Sequence, residues 1–178
     1  DLLAANLGSS QIDEAMQTFA EYFRVDRFEL WWRKPSGESS TLSYAWSKTG
    51  LVSTVKELSL TTMPLVASQL MDNKVVRVAD ARELSPEIID EVMEAGVAIS
   101  KAFVIFPLSI NEGQERIGTG RVAVYESARH WTEEEINELQ LAFNVIATAE
   151  ARMRTTIELE NRERFQALIA EVSTDLLK

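Results

Sequence analysis

The stretch KAFVIFPLSI at 101–110 limits what this chain can fold into more than any other. Ala102, Val104, Phe106 and Leu108 fall on one parity, and Phe103 and Ile105 on the other, so the segment is apolar on both sides. A strand of this kind needs cover on both faces, which rules out a sheet with one solvated side. NEGQER then turns the chain, and IGTGRVAVYES (117–127) returns as the hairpin partner.

Other segments can supply that cover. Ile12, Ala15, Met16, Phe19, Ala20 and Phe23 recur at helical spacing over 11–24, with Ser10 as the cap. RFELWWR (27–33) and TLSYAWS (41–47) read as two aromatic strands joined by KPSGESS. Strict alternation puts Leu42, Tyr44 and Trp46 on one face. TTMPLVASQLMDN (61–73) reads as a helix with Pro64 in its first turn, and VVRVAD (75–80) as a short strand. SPEIIDEVMEAG (85–96) reads as a helix capped by Ser85, opened by Pro86 and ended by Gly96.

From Thr132 the texture changes. TEEE is a capping box, and neither Gly nor Pro occurs from 121 to 178. A broad apolar face runs from Ile136 to Ile146, enough to pack on a sheet. Beyond it only a narrow seam survives, Ala149, Met153 and Ile157, among charged neighbours. A second copy of the same helix can bury such a seam, which predicts a parallel homodimer. The bland alternative is a solvated helix. A wider face returns at Phe165, Leu168, Ile169, Val172 and Leu176.

At 178 residues the chain reads as one domain with helical extensions. Its net charge of −10 argues against a nucleic-acid partner but leaves a small anionic ligand open, because one buried Arg can hold it. Cys is absent, which removes disulfides, thiolate nucleophiles and Cys-ligated metal, and fits a reducing, cytoplasmic setting. The longest apolar run, AFVIFPL, falls far short of the ~20 residues of a membrane span, so no membrane insertion is expected. The one His, His130 beside Trp131, reads as structural; zinc and haem sites recruit more ligands than it offers. Gly118-Thr119-Gly120-Arg121-Val122-Ala123 has the letters of a dinucleotide fingerprint, but it continues as strand where that fingerprint opens a helix. The glycines instead permit close approach. Carboxylates such as Asp90, Glu91 and Glu133 to Glu135 read as caps or solvated faces. With no nucleophile beside a base, the chain does not read as an enzyme.

The order of elements resembles the GAF domain, a small-molecule-binding regulatory module of signalling proteins. VVRVAD is similar to the family's short strand ending in Asp. GVAISKAFVIFPLSI resembles its Gly, Ser and apolar strand ending in Pro-Leu, here Gly96, Ser100, Pro107 and Leu108. IGTGRVAVY and RHWTEEEINELQLAFNVIATA resemble the strand and Trp-Thr helix entrance that follow. The resemblance implies an α+β fold, with an antiparallel central sheet of about five to six strands, helices on both faces and a long C-terminal signalling helix. It divides the chain into a lead-in at 1–10, the sensor domain at 11–150 and an exit helix at 151–178. RERFQALIAEVSTDLLK resembles the lead-in of a following unit, so a further output domain is expected: a kinase such as a two-component histidine kinase, a PAS unit or a second GAF unit.

The resemblance also places a ligand between one sheet face and the two central helices. Tyr44 and Trp46 would line it, with Arg77, Asp80, Ser100 and Arg121 as polar anchors. The same residues also read as core, with Arg121 paired to a surface carboxylate. Without Cys, covalent bilin attachment and the family's methionine sulfoxide reductase chemistry are excluded. Asn73-Lys74 matches the start of the family's cyclic-nucleotide signature, but neither Phe103 nor Phe106 is followed by its Asp-Glu. The expectation is a sensor for an unidentified small molecule, with no haem, bilin or metal; the alternative is a ligand-free dimerisation spacer.

Overall fold

The computed structural model describes residues 2–48, 51, 55–71, 73–111 and 115–176. Helix α1 (Leu2–Phe23) leads into strands β1 (Arg27–Arg33), β2 (Ser39–Ser47) and β3 (Glu57–Ser59). Then come α2 (Pro64–Met71), β4 (Val76–Val78), a 3-10 turn (Ala81–Glu83) and α3 (Pro86–Glu94). The hairpin β5 (Ala102–Asn111) and β6 (Glu115–Val124) follows, and α4 (Glu133–Leu176) ends the chain. The six strands form one antiparallel sheet in the order β3-β2-β1-β6-β5-β4. This is the α+β arrangement expected. Strand β3 and the 3-10 turn are too short to leave a periodic signal, and their sequences did not mark them.

Both faces of the central strands are covered. On one face Phe28, Leu30 and Trp32 of β1 join Val104 and Phe106 of β5 and Val122 of β6, under Met16 and Ala20 of α1 and Leu139, Phe143 and Ile146 of α4. The ring of Phe143 stacks on Phe28 at 4.2 Å and tilts against Phe106 at 5.3 Å. Gly120 makes that seat: a Cβ there would collide with the Phe143 ring. Gly118 likewise leaves room for the Trp32 ring. The two glycines thus bring β6 close to its neighbours.

A bulge between Leu30 and Trp31 breaks the alternation of β2. Tyr44 pairs with Leu30 and Trp46 with Phe28, but Leu42 pairs with Trp31. Tyr44 and Trp46 therefore share the α1/α4 face and pack against its core, and Leu42 does not share it. One inserted residue reverses the facing of everything beyond it.

Helix α4 is tied to the far edge of the sheet at its start. The Thr132 hydroxyl accepts from the Glu135 amide at 3.2 Å, while the Glu135 carboxylate accepts from the Thr132 amide at 3.0 Å, closing the capping box. Trp131 Nε1 donates to the Val78 carbonyl at 3.2 Å, and Arg77 grips Glu133 through both guanidinium nitrogens at 2.5 and 3.2 Å. α4 runs without interruption through residue 150, and its side chains are exposed from Glu158 to Ser173.

Replacing Gly120 with Ala should cost about 1–3 kcal/mol, because overpacking would displace a fully buried ring. Chemical denaturation of the variant checks this; an unchanged midpoint would mean that Phe143 does not depend on Gly120.

Candidate ligand-binding site

The second face of the sheet is roofed by α2 and α3 and is not filled. A cavity of about 130 Å³ lies between them. Trp31, Phe103, Ile105 and Thr119 form its floor, and Val66 of α2 with Ile88, Ile89 and Val92 of α3 form its roof. The parity of KAFVIFPLSI explains the floor, since Phe103 and Ile105 face the cavity while Val104 and Phe106 face α4. The roof is held together by one carboxylate. Glu91 of α3 accepts from the amides of Leu65 at 3.1 Å and Val66 at 3.2 Å, filling the orphan donors at the start of α2. The sequence marked Glu91 only as a solvated or capping acid; that it caps a different helix is a tertiary fact.

The polar part of the site is a buried ionic cluster on the same face. Glu29 of β1 is 3% exposed. Its carboxylate meets Arg27 Nε at 2.5 Å and the Arg121 guanidinium at 2.9 Å. Arg121 also donates to Ser100 Oγ at 3.0 Å and lies 5.6 Å from the centre of the Phe103 ring. Burial pushes the Glu29 carboxyl upward, but Arg121 and then Arg27 outweigh it and hold it below its ordinary range. Arg121 is pushed down by desolvation and pulled up further by Glu29, so it stays charged. Ser100 and Arg121, chosen from sequence, thus sit together at the cavity wall. The carboxylate on Arg121 is not at the surface but deep in the fold.

The other residues expected at the site lie elsewhere. Tyr44 and Trp46 occupy the opposite face, for the register reason given above. Arg77 alternates with cavity-lining Val76 and Val78, so it points away and pairs with Glu133. Asp80 caps the 3-10 turn, accepting from the Arg82 amide at 3.0 Å; hydrogen bonds from Arg82 hold its carboxyl at about 2. Arg27, Glu29, Trp31 and Phe103 were missed. For the first three the signal was the alternation in RFELWWR, with Arg27, Glu29 and Trp31 on one parity and Phe28, Leu30 and Trp32 on the other. Among the described residues no group of three or more His, Cys, Asp or Glu is placed to hold a metal, and no helix is long and apolar enough to cross a membrane.

Replacing Glu29 with Gln would leave two buried guanidinium groups without a counter-charge and should cost about 3–5 kcal/mol. The native carboxyl lies below its ordinary value of 4.5, so its contribution is complete above that pH and is lost as pH falls through the lower native value. Unfolding free energy measured against pH should therefore fall less steeply below pH 4.5 in Glu29→Gln than in the parent. Parallel curves would refute the assignment.

No family model matches the sequence, and no curated protein matches it. Solved structures do. The blue-light absorbing form of the Thermosynechococcus elongatus PixJ GAF domain superposes with a TM-score of 0.64 at 12% identity, covering 92% of this chain and 95% of that one. The GAF domain region of a putative membrane protein from Geobacter sulfurreducens PCA gives a TM-score of 0.62 at 16% identity, over 84% of this chain and 97% of that one. A methyl-accepting chemotaxis protein, residues 122 to 287, gives 0.62 at 16% identity, over 86% and 98%. This likeness shows that the chain, with its six-stranded antiparallel sheet and long terminal helix, has the GAF-domain fold.

Proposed function

We propose that the chain is a regulatory, small-molecule-sensing module of a signal-transduction protein. One observation carries this reading: an apolar pocket between the sheet and its two roofing helices, unfilled by the protein's own side chains, with a charged ion pair at its wall. Such a space, mostly apolar with a few convergent polar groups, has the composition of a ligand site. Nothing in it favours catalysis, because Ser100 is bonded to a permanent cation and has no base among its described partners. The chemotaxis protein and the photoreceptor among the similar structures are signalling proteins, which agrees with a sensory role.

The output in this reading is α4. Strand β4 lines the cavity with Val76 and Val78, and the same strand holds the start of α4 through Val78 with Trp131 and Arg77 with Glu133. The Arg77–Glu133 pair is exposed and screened by solvent, so its contribution is to position rather than to stabilise. A ligand that displaces β4 changes where α4 begins, provided it binds one arrangement more tightly than the other. Relay then passes through a homodimeric helix pair to a linked output domain, such as a histidine kinase, a PAS unit or a second GAF unit. The seam includes Ala149, Met153 and Ile157. Ala149 is exposed, Ile157 half-buried, and Met153 partly packed on the domain's own core. Phe165, Leu168, Ile169 and Val172, all about half exposed, continue the apolar surface along the free helix.

A second reading is a spacer that binds nothing, favoured by the pairing of Arg121 with Glu29 and Ser100 inside the protein. Mass spectrometry of compounds released by denaturing freshly purified, undialysed protein separates the two. A stoichiometric small molecule is the expected result; an empty protein that also shows no melting shift across a metabolite library would leave the spacer. For the dimer, Leu168→Glu with Ile169→Glu should halve the mass measured by light scattering without lowering the domain's melting temperature. An unchanged mass would place the interface elsewhere.

A further inference from the structure

The ionic cluster beside the cavity does not balance. Arg27 and Arg121 are two cations, and among the described residues Glu29 is the one carboxylate that pairs with them. Buried charges are normally matched, so one unit of positive charge stands uncompensated here. A second, smaller cavity of about 40 Å³ opens directly on this cluster, walled by Arg27, Glu29, Arg121 and Tyr125. It adjoins the larger cavity, sharing Trp31, Leu58, Val97, Ala98 and Arg121 as walls. The space is therefore a chamber with two ends, one apolar and one cationic, and Arg121 belongs to both.

We infer that, if the chain is the sensor proposed above, its ligand is a small monocarboxylate whose compact apolar body fills the larger cavity and whose carboxylate meets Arg121. The volume sets the body. An apolar cavity near 150 Å³ accepts benzene, so about 130 Å³ admits one six-membered ring or a six-carbon chain. The charge sets the head, because a monoanion brings the cluster to two cations and two anions, whereas a dianion would overshoot. The donors set its shape. A guanidinium carries five N–H donors in a fixed fork, and Glu29 and Ser100 engage Arg121 at one point each, leaving donors for a carboxylate oxygen. Phe103 and Trp31 flank Arg121 on the same floor and supply flat apolar surface to the body.

The test compares acids with neutral molecules of the same shape. Benzoate and hexanoate, set against benzyl alcohol and 1-hexanol, are titrated calorimetrically into the ligand-stripped protein at pH 7. The expected result is binding of at least one acid about tenfold or more tighter than its alcohol, and loss of that preference in Arg121→Gln. Val92→Phe, which fills the roof of the larger cavity, should abolish binding of acid and alcohol alike. Alcohols binding as well as acids, with Val92→Phe still blocking both, would overturn the carboxylate and leave the sensor. Binding that survives Val92→Phe, or no binding of any probe alongside an empty mass-spectrometric result, would overturn both. Should Arg121→Gln fail to fold, the acid–alcohol comparison on the parent protein decides alone.

Discussion

The ring of Phe143 rests on the bare α-carbon of Gly120, and the rest of the architecture depends on that contact. It fixes the long C-terminal helix to the middle of the sheet, between Phe28 and Phe106. With that face closed by aromatic stacking and aliphatic packing, the sheet is a rigid wall. Only a wall of that kind can carry a space on its other side. The two faces of one sheet thus divide the work: one is packed to completion and supplies stability, the other is left incomplete and supplies room.

The incomplete face is held open by a different kind of interaction. Its polar residues are strand residues whose charged ends meet each other across β1 and β6, Glu29 beside Arg121 in register. An ion pair buried this deep is weak evidence for stability, since well-packed apolar residues often do as well. The packed face holds one as well, Glu150 with Arg116, so the Glu29–Arg121 pair is set apart by the cavity it borders rather than by its burial. The roof is fastened more lightly, by Glu91 across the start of α2 and by apolar contact. A fixed floor under a lightly fastened roof is the arrangement expected where molecules enter and leave.

How much of this could be read from the residues depended on the range of the signal. Helix α3 was legible because Ser85, Pro86 and Gly96 punctuate it locally, and α4 because a capping box is followed by a run without Gly or Pro. The two-sided burial of β5 was legible because both parities are apolar. The face taken by Tyr44 and Trp46 was not legible because it is set by their pairing with Leu30 and Phe28, and a pairing cannot be seen in one strand alone. Arg121 was found through its neighbourhood in the motif, but its partner Glu29 lies 92 residues away, and nothing local joins them. Charged residues alternating with aromatics in RFELWWR were the one available hint.

The 44-residue length of α4 has a mechanical consequence. Packing on the domain stops near Ile157, and about 30 Å of helix runs on to Leu176 at 1.5 Å per residue. That free length is a lever arm pivoting on the domain edge. A tilt of about 5° at the pivot, well within what a repacked interface allows, sweeps the far end through about 2.5 Å. A displacement too small to resolve at the domain edge therefore arrives at the tip as half the rise of a helical turn.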